Sequence, residues 1–342
     1  MMCDELESMS CAMDARSSMS HSGDQDASVA NIFIMFFAAA IGGYVLSSFV
    51  LLRSPGILHR KKEHRFAARH ISHRGGAGEC TENTIDAYRR AVSAGTELLE
   101  LDVHLTKDNQ VVVIHDDNLL RLTGMNCLIS ELRYEELPVL KRELDVSFAR
   151  GVVMEDSENR TIPRLKDVFE EFPDVPINVD IKVDNDVLIA TTADLIAQFK
   201  REKLTVWGNT SSKVTEKCYS VNPSIGLLFS MRRVVQIVIL FYCGLLPYFP
   251  IRETHLEIPM PHCFFHFMPN PSKKQRFIVA LMDKLLMRRS LFEHLQKRGI
   301  PVYLWVLNDP IEWDRAFNEL RVDGVMTDFP SKLATYLKQH NV

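Results

Sequence analysis

The chain has no Cys-x-x-Cys pair, no overall excess of positive charge and, from Ala27 to Leu52, no charged residue at all. Its seven cysteines, Cys3, Cys11, Cys80, Cys127, Cys218, Cys243 and Cys263, are odd in number and scattered, so neither a disulfide framework nor a zinc site is expected. A reducing compartment suits the main domain. The formal net charge of -4 and the pI near 6.3 remove any global electrostatic reason to expect nucleic acid, and any phosphate contact must be local. No protein partner can be read from the sequence. What is there is ordinary for a folded protein: 46% hydrophobic and 25% charged residues over 342 positions, enough for one large barrel with appendages.

Residues 1–26 are rich in Ser, Met, Asp and Glu without an apolar period, and read as a disordered acidic tail. Residues 27–52 are dominated by Ile, Phe, Ala, Val and Leu and match the roughly 20 apolar residues that cross a bilayer. A cleaved signal peptide is the competing reading. The stretch exceeds the ~7–15 residue apolar core of such a leader, its upstream flank is acidic, and no small-residue cleavage pattern follows. Downstream lies a basic linker, 53–67, with Arg53, Arg60, Lys61, Lys62 and Arg65, followed by Arg69. The upstream flank instead carries Asp4, Glu5, Glu7, Asp14, Asp24 and Asp26. The positive-inside bias therefore predicts a single-pass protein with its C-terminal domain in the cytosol.

From residue 68 to the C-terminus, short apolar strands alternate with helical stretches. Strands are predicted at 68–72, 98–104, 177–181, 204–207, 225–229, 256–259, 302–307 and 324–327. Helices are predicted at 84–94, 187–200, 212–221, 289–298, 310–319 and 331–339. Repeated βα alternation predicts an α/β fold with a parallel sheet closed into a TIM (β/α)8 barrel. Residues 117–173 break the rhythm and read as a small insertion before the third barrel strand.

Chemistry concentrates at the predicted C-terminal strand ends. Ser72-His73-Arg74-Gly75-Gly76 places a histidine and an arginine where a strand gives way to a glycine-rich turn. Leu98 to His104 alternates strictly, so Glu100, Asp102 and His104 share one face and the leucines the other. Carboxylates buried on a central strand need a compensating charge, either a divalent cation or arginine partners. Val111 to Ile114 is an apolar strand leading into His115, a second imidazole for acid–base work beside His73. Asp180 and Lys182 again share a face, as a metal ligand with a phosphate partner or as a plain ion pair.

Together, His73-Arg74-Gly75-Gly76, Thr81-Glu82-Asn83-Thr84, Glu100-Leu101-Asp102, His115-Asp116, Asp180-Ile181-Lys182 and Leu304-Trp305-Val306-Leu307-Asn308 closely resemble the glycerophosphodiester phosphodiesterase family, in motif order, from about His70 onward. Within it the chain is most similar to the animal membrane-anchored branch with lysophospholipase D activity, which hydrolyses lysophospholipids, N-acyl forms included, to lysophosphatidic acid and a free head group. The resemblance implies metal ligands Glu100, Asp102 and Asp180, an acid–base pair His73 and His115, and a phosphate clamp of Arg74 and Lys182. It further implies support from Glu82 and Asn83, a pocket wall at Trp305, and an endoplasmic reticulum or perinuclear membrane. Many members carry Pro at the position of Thr81 and Glu at that of Asp180, so the shorter Asp180 bears on metal distance. All-oxygen ligation favours Mg²⁺, with Ca²⁺ the alternative.

Two apolar βα segments point to lipid. Val234 to Leu246 follows Arg232-Arg233 and is too short to span a bilayer, and Met260 to Met268 carries Phe264, Phe265 and Phe267. Both would place a greasy lip beside the polar centre, for a lysophospholipid tail or membrane lipid. Packing against the barrel is the alternative. Two rival functions remain: a glycerophosphodiesterase for soluble glycerophosphocholine or glycerophosphoinositol, and a non-catalytic membrane scaffold. Water and the substrate's own glycerol hydroxyl are both available nucleophiles.

Overall fold

The computed structural model describes residues 31–154, 158–268 and 270–340; the acidic tail expected at 1–26 lies outside them. The chain divides into two units, one ending at Arg53 and one running from Ser54 onward. The described part of the first is one helix, Asn31–Arg53, 23 residues long, with an 18-residue stretch of mean hydropathy 2.1. Such a helix is about 35 Å long, enough for the ~30 Å hydrocarbon core of a bilayer. It is apolar all round, with Phe33, Phe36 and Phe37 each exposed. A soluble helix would bury one such face.

The second unit is built on parallel strands. These are β1 (His70–Ser72), β2 (Leu98–Leu105), β4 (Ile177–Ile181), β5 (Thr205–Gly208), β6 (Gly226–Leu227), β7 (Leu256–Pro259), β8 (Val302–Trp305) and β9 (Gly324–Thr327), with β3 (Val111–Val113) lying off the main path. They pair in the order β6-β5-β4-β2-β1-β9-β8-β7, and a parallel bridge between Leu228 and His255 joins the two ends into a closed barrel. The alternation predicted for β2 decides its two faces. Leu99, Leu101 and Val103 pack outward with Val168, Phe169 and Leu188 of the surrounding helices, while Glu100 and Asp102 are left for the lumen. Ile71, Leu98, Tyr303 and Met326 form a separate apolar cluster on β1, β2, β8 and β9. The barrel is a packed core rather than a pore.

Three expectations change in detail. The irregular insertion occupies all of the connection between β2 and β4, earlier than residue 117, because β3 folds back antiparallel on β2 through Val103↔Val113 and is not a barrel strand. The predicted helix 310–319 is α-helical only over Pro310–Asp314 and continues as a π-turn over Arg315–Glu319. The apolar segments at 234–246 and 260–268 become a helix, Met231–Tyr242, and a 3-10 turn, Pro261–Phe267; a further helix, Lys273–Leu286, was not anticipated.

Candidate active site

The site lies where the strands end. After β1 the backbone turns through Arg74, Gly75 and Gly76, all at positive φ (53°, 80° and 93°). The two glycines leave room that a side chain would fill: a Cβ at Gly75 would fall 2.9 Å from Ala87 Cβ, and one at Gly76 would fall 2.6 Å from the Pro330 ring. Arg74, a non-glycine residue in the left-handed region, carries a local conformational cost there. Its amide donates to Glu100 Oε2 at 2.8 Å, its NH1 to Glu82 Oε1 at 3.2 Å, and its Nε lies 3.3 Å from Asp102 Oδ2 without hydrogen-bond alignment.

The neighbouring loop supports the same carboxylates. Asn83 (φ 57°) donates from Nδ2 to Asp102 Oδ2 at 2.9 Å and accepts from Tyr88 Oη at 2.7 Å. Glu82 is buried and is held by Arg121 NH2 at 2.7 Å as well as by Arg74. From β4, Lys182 reaches between two strands, 2.8 Å from Asp102 Oδ1 and 2.7 Å from Asp180 Oδ2. That juxtaposition follows from register, since Asp102 and Asp180 are paired positions.

The electrostatics divide these acids. Burial drives Asp102 upward, but Lys182, Arg74 and His115 together hold it far below the usual carboxylate range. Burial, then the neighbouring Asp102, push Glu100 well above that range against the pull of Lys182 and Arg74. Glu100 is thus the buried acid with too little countercharge. Among the described residues no set of three or more His, Cys, Asp or Glu side chains stands ready as a metal cage, and Lys182 sits between Asp102 and Asp180. The donor chemistry nevertheless fits a divalent cation: three carboxylates, oxygen donors only, meet at one cavity, and one of them is under-compensated.

Two histidines face this cavity of about 390 Å³, each fixed by an acid. Buried His73 contacts Asp328 Oδ1 through Nδ1 at 2.7 Å. Asp328 is itself held by Asn308 Nδ2 at 2.9 Å, and its amide donates to Asn308 Oδ1 at 2.9 Å. His115, 34% exposed in its side chain, contacts Asp116 Oδ1 through Nδ1 at 2.6 Å. Arg121 Nε donates to Asp116 Oδ2 at 2.6 Å and so links that acid to Glu82. Burial, and then Arg74, lower the His73 pKa, partly against Asp328. Trp305 lines the cavity, and Phe148 from the insertion stands between it and His73, with ring centroids 6.2 and 5.3 Å away.

Every residue given a catalytic, metal, phosphate or supporting role from the sequence is therefore in or beside this one cavity, whereas the apolar segments expected to form its lip do not line it: Val234, Ile237 and Leu246 pack into the core. Phe148, Asn209, Glu257 and Asp328 were not singled out. Asn209 donates to Asp180 Oδ1 at 3.0 Å. Glu257, on β7, accepts from Asn178 at 2.6 Å, and burial pushes its carboxyl up to about 8. Its Leu-Glu-Ile alternation and the Asp after β9 were the available signals.

The comparisons with known proteins decide the class. Residues 73–224 and 268–332 match the glycerophosphoryl diester phosphodiesterase family. The chain belongs to that family. It is a phosphoric diester hydrolase, and enzymes of the family generally depend on a divalent metal. Among relatives, human "Lysophospholipase D GDPD1" is 52% identical over 308 residues, 90% of this chain and 97% of that protein. Human "Lysophospholipase D GDPD3" is 37% identical over 320 residues, covering 91% and 98%. Among solved structures, the glycerophosphodiester phosphodiesterase of Thermotoga maritima is similar with a TM-score of 0.52 and 25% identity, over 80% of this chain and 99% of that one.

Proposed function

We propose that this family member is a membrane-anchored lysophospholipase D, which hydrolyses lysophospholipids, N-acyl forms included, to lysophosphatidic acid and a free head group. The observation that carries the reading is the pair of carboxylate-fixed histidines on one cavity with Arg74 and Lys182. Both relatives described above bear the lysophospholipase D name.

In each pair the Nδ1 proton is assigned to the carboxylate contact, which leaves Nε2 for the substrate. His73, kept neutral by burial, takes the proton of the attacking oxygen; more exposed His115 delivers one to the departing head-group oxygen. Arg74 and Lys182 are the phosphate clamp, meeting negative charge that grows on the phosphoryl oxygens. Glu82 and Asn83 hold Arg74 and Asp102 in place, and Trp305 forms the pocket wall. Glu100, Asp102 and Asp180 would hold a divalent cation, Mg²⁺ in preference to Ca²⁺, and when bound it would add Lewis-acid stabilisation to that charge. The helix Asn31–Arg53 is the anchor, the barrel faces the cytosol, and the membrane is that of the endoplasmic reticulum or nuclear periphery.

The test is a competition for purified full-length protein between lysophosphatidylcholine and glycerophosphocholine, with Mg²⁺, Ca²⁺ or chelator. The reading expects a higher kcat/KM for the lysolipid and loss of turnover on chelation. Preference for glycerophosphocholine would move the function to soluble diesters.

A further inference from the structure

A second cavity lies at the opposite end of the barrel, where β5 and β6 begin and β7 is about to begin. It measures about 760 Å³, and its wall includes Thr205, Gly226 and His255. That volume is in the range of small-ligand sites. The basic linker forms its other wall. The linker is pinned beneath the barrel: His59 Nε2 lies 2.8 Å from the Pro247 carbonyl, the Lys62 amide donates to the Arg298 carbonyl at 3.0 Å, Lys62 Nζ donates to the Arg252 carbonyl at 3.1 Å, and Phe66 stacks on His255 at 5.6 Å.

The charge lining this space is unbalanced. Arg60, Lys61, Lys62, Arg65 and Lys203 face it, against Glu63 and Glu202. Among the described residues, Arg60, Lys61, Arg65 and Lys203 form no ion pair and are exposed. A linear stop-transfer flank accounts for the linker cations alone. Lys203 belongs to the barrel and is brought to them only by the fold.

The floor of the cavity is closed by a buried imidazole. His255 is 2% exposed and its Nε2 has no partner. Thr254 Oγ1 accepts from the Leu227 amide at 2.7 Å, donates to the Leu227 carbonyl at 3.2 Å and lies 2.8 Å from His255 Nδ1.

We infer that this cavity binds a phosphomonoester anion, the chemistry shared by phosphorylated lipid head groups and soluble phosphate esters, through Arg65, Lys61 and Lys203. Several cations around one concave space suit a small multivalent anion rather than an extended polymer. The site is separate from the catalytic cavity, since the two open at opposite strand ends.

The experiment titrates full-length protein in uncharged detergent with inositol trisphosphate by calorimetry. In parallel, protein in nanodiscs of phosphatidylcholine is compared with protein in nanodiscs that also contain phosphatidylinositol 4-phosphate, read by exchange protection of residues 60–66. Saturable binding is expected, weakened roughly tenfold by Lys203→Ala and by Arg65→Ala. It is expected to be unchanged by Glu100→Ala, and Lys203→Ala is expected to leave turnover unchanged. Protection only with the phosphorylated lipid would identify a head group as the source. Equal protection in both nanodiscs, with trisphosphate binding intact, would identify a soluble ester. Absence of saturable binding, binding indifferent to Lys203→Ala, or binding lost with Glu100→Ala would overturn the assignment.

Discussion

The two ends of this barrel solve opposite electrostatic problems. At the catalytic end, Glu82, Asp102 and Asp180 each have a counter-charge among Arg74, Lys182 and Arg121, and Glu100 is held only by the Arg74 amide. At the other end, exposed Arg60, Lys61, Arg65 and Lys203 line a cavity with few acids. A compensated cluster is stable by itself and uses its polarity to hold groups in position. An uncompensated one is stable only because water reaches it, and it has charge to offer a ligand. The difference separates parts built for chemistry from parts built for attraction.

Removing the general base should break the catalytic end alone. His73→Ala is expected to lower turnover by roughly 10²–10⁴-fold, measured by head-group release, while anion binding at the opposite end stays as in the wild type. Arg74→Met strips the shared cation from Glu82, Glu100 and Asp102, and uncompensated buried charge typically costs about 3–5 kcal/mol; urea unfolding should report a loss on that scale. Asp328 acts through His73, so its replacement should be milder. Asp328→Asn is expected to cost about 10²-fold in kcat. Because an anionic Asp328 raises the His73 pKa, the acid limb of the kcat/KM profile should also move to lower pH, which a merely structural defect would not produce.

The smallest effect is read from the pH dependence of stability. His70 sits at the start of β1 and burial lowers its pKa to about 4, so it stays neutral in the fold while the unfolded chain takes up protons near its ordinary value of ~6.5. Its contribution is complete above that value and is lost as pH falls toward 4. Between pH 7 and 5.5 the loss should be about 1 kcal/mol, in the same direction as buried His255, and His70→Gln should flatten that part of the stability curve.

Much of this was legible because local pattern and tertiary role agree. β4, β7 and β9 fall at the predicted residues, and the strict alternation of β2 placed Glu100 and Asp102 in the lumen. The direction of β3 was not legible: three valines suit a strand of either sense, and only the pairing Val103↔Val113 turns it back. The helix Lys273–Leu286 carried its own signals, Phe277, Ile278, Leu281 and Leu285 at helical spacing behind a Ser272–Gln275 capping box, although that apolar face is exposed rather than packed on the barrel. In the site, residues inside sequence motifs were visible, whereas Asp328 reaches His73 across 255 positions and Phe148 arrives from an irregular insertion. Such long-range partners leave no periodic trace. The basic linker was visible as charge, but its cavity exists only once Lys203 and His255 are folded beside it.

The most direct measurement is a phosphorus NMR time course of full-length protein with lysophosphatidylcholine and Mg²⁺, run for the wild type, His73→Ala and Glu100→Ala. The account predicts growth of lysophosphatidic acid or its cyclic phosphate in the wild type alone, and the product signal also identifies the nucleophile. Conversion that persists in either variant would contradict the assignment of this cavity as the catalytic centre.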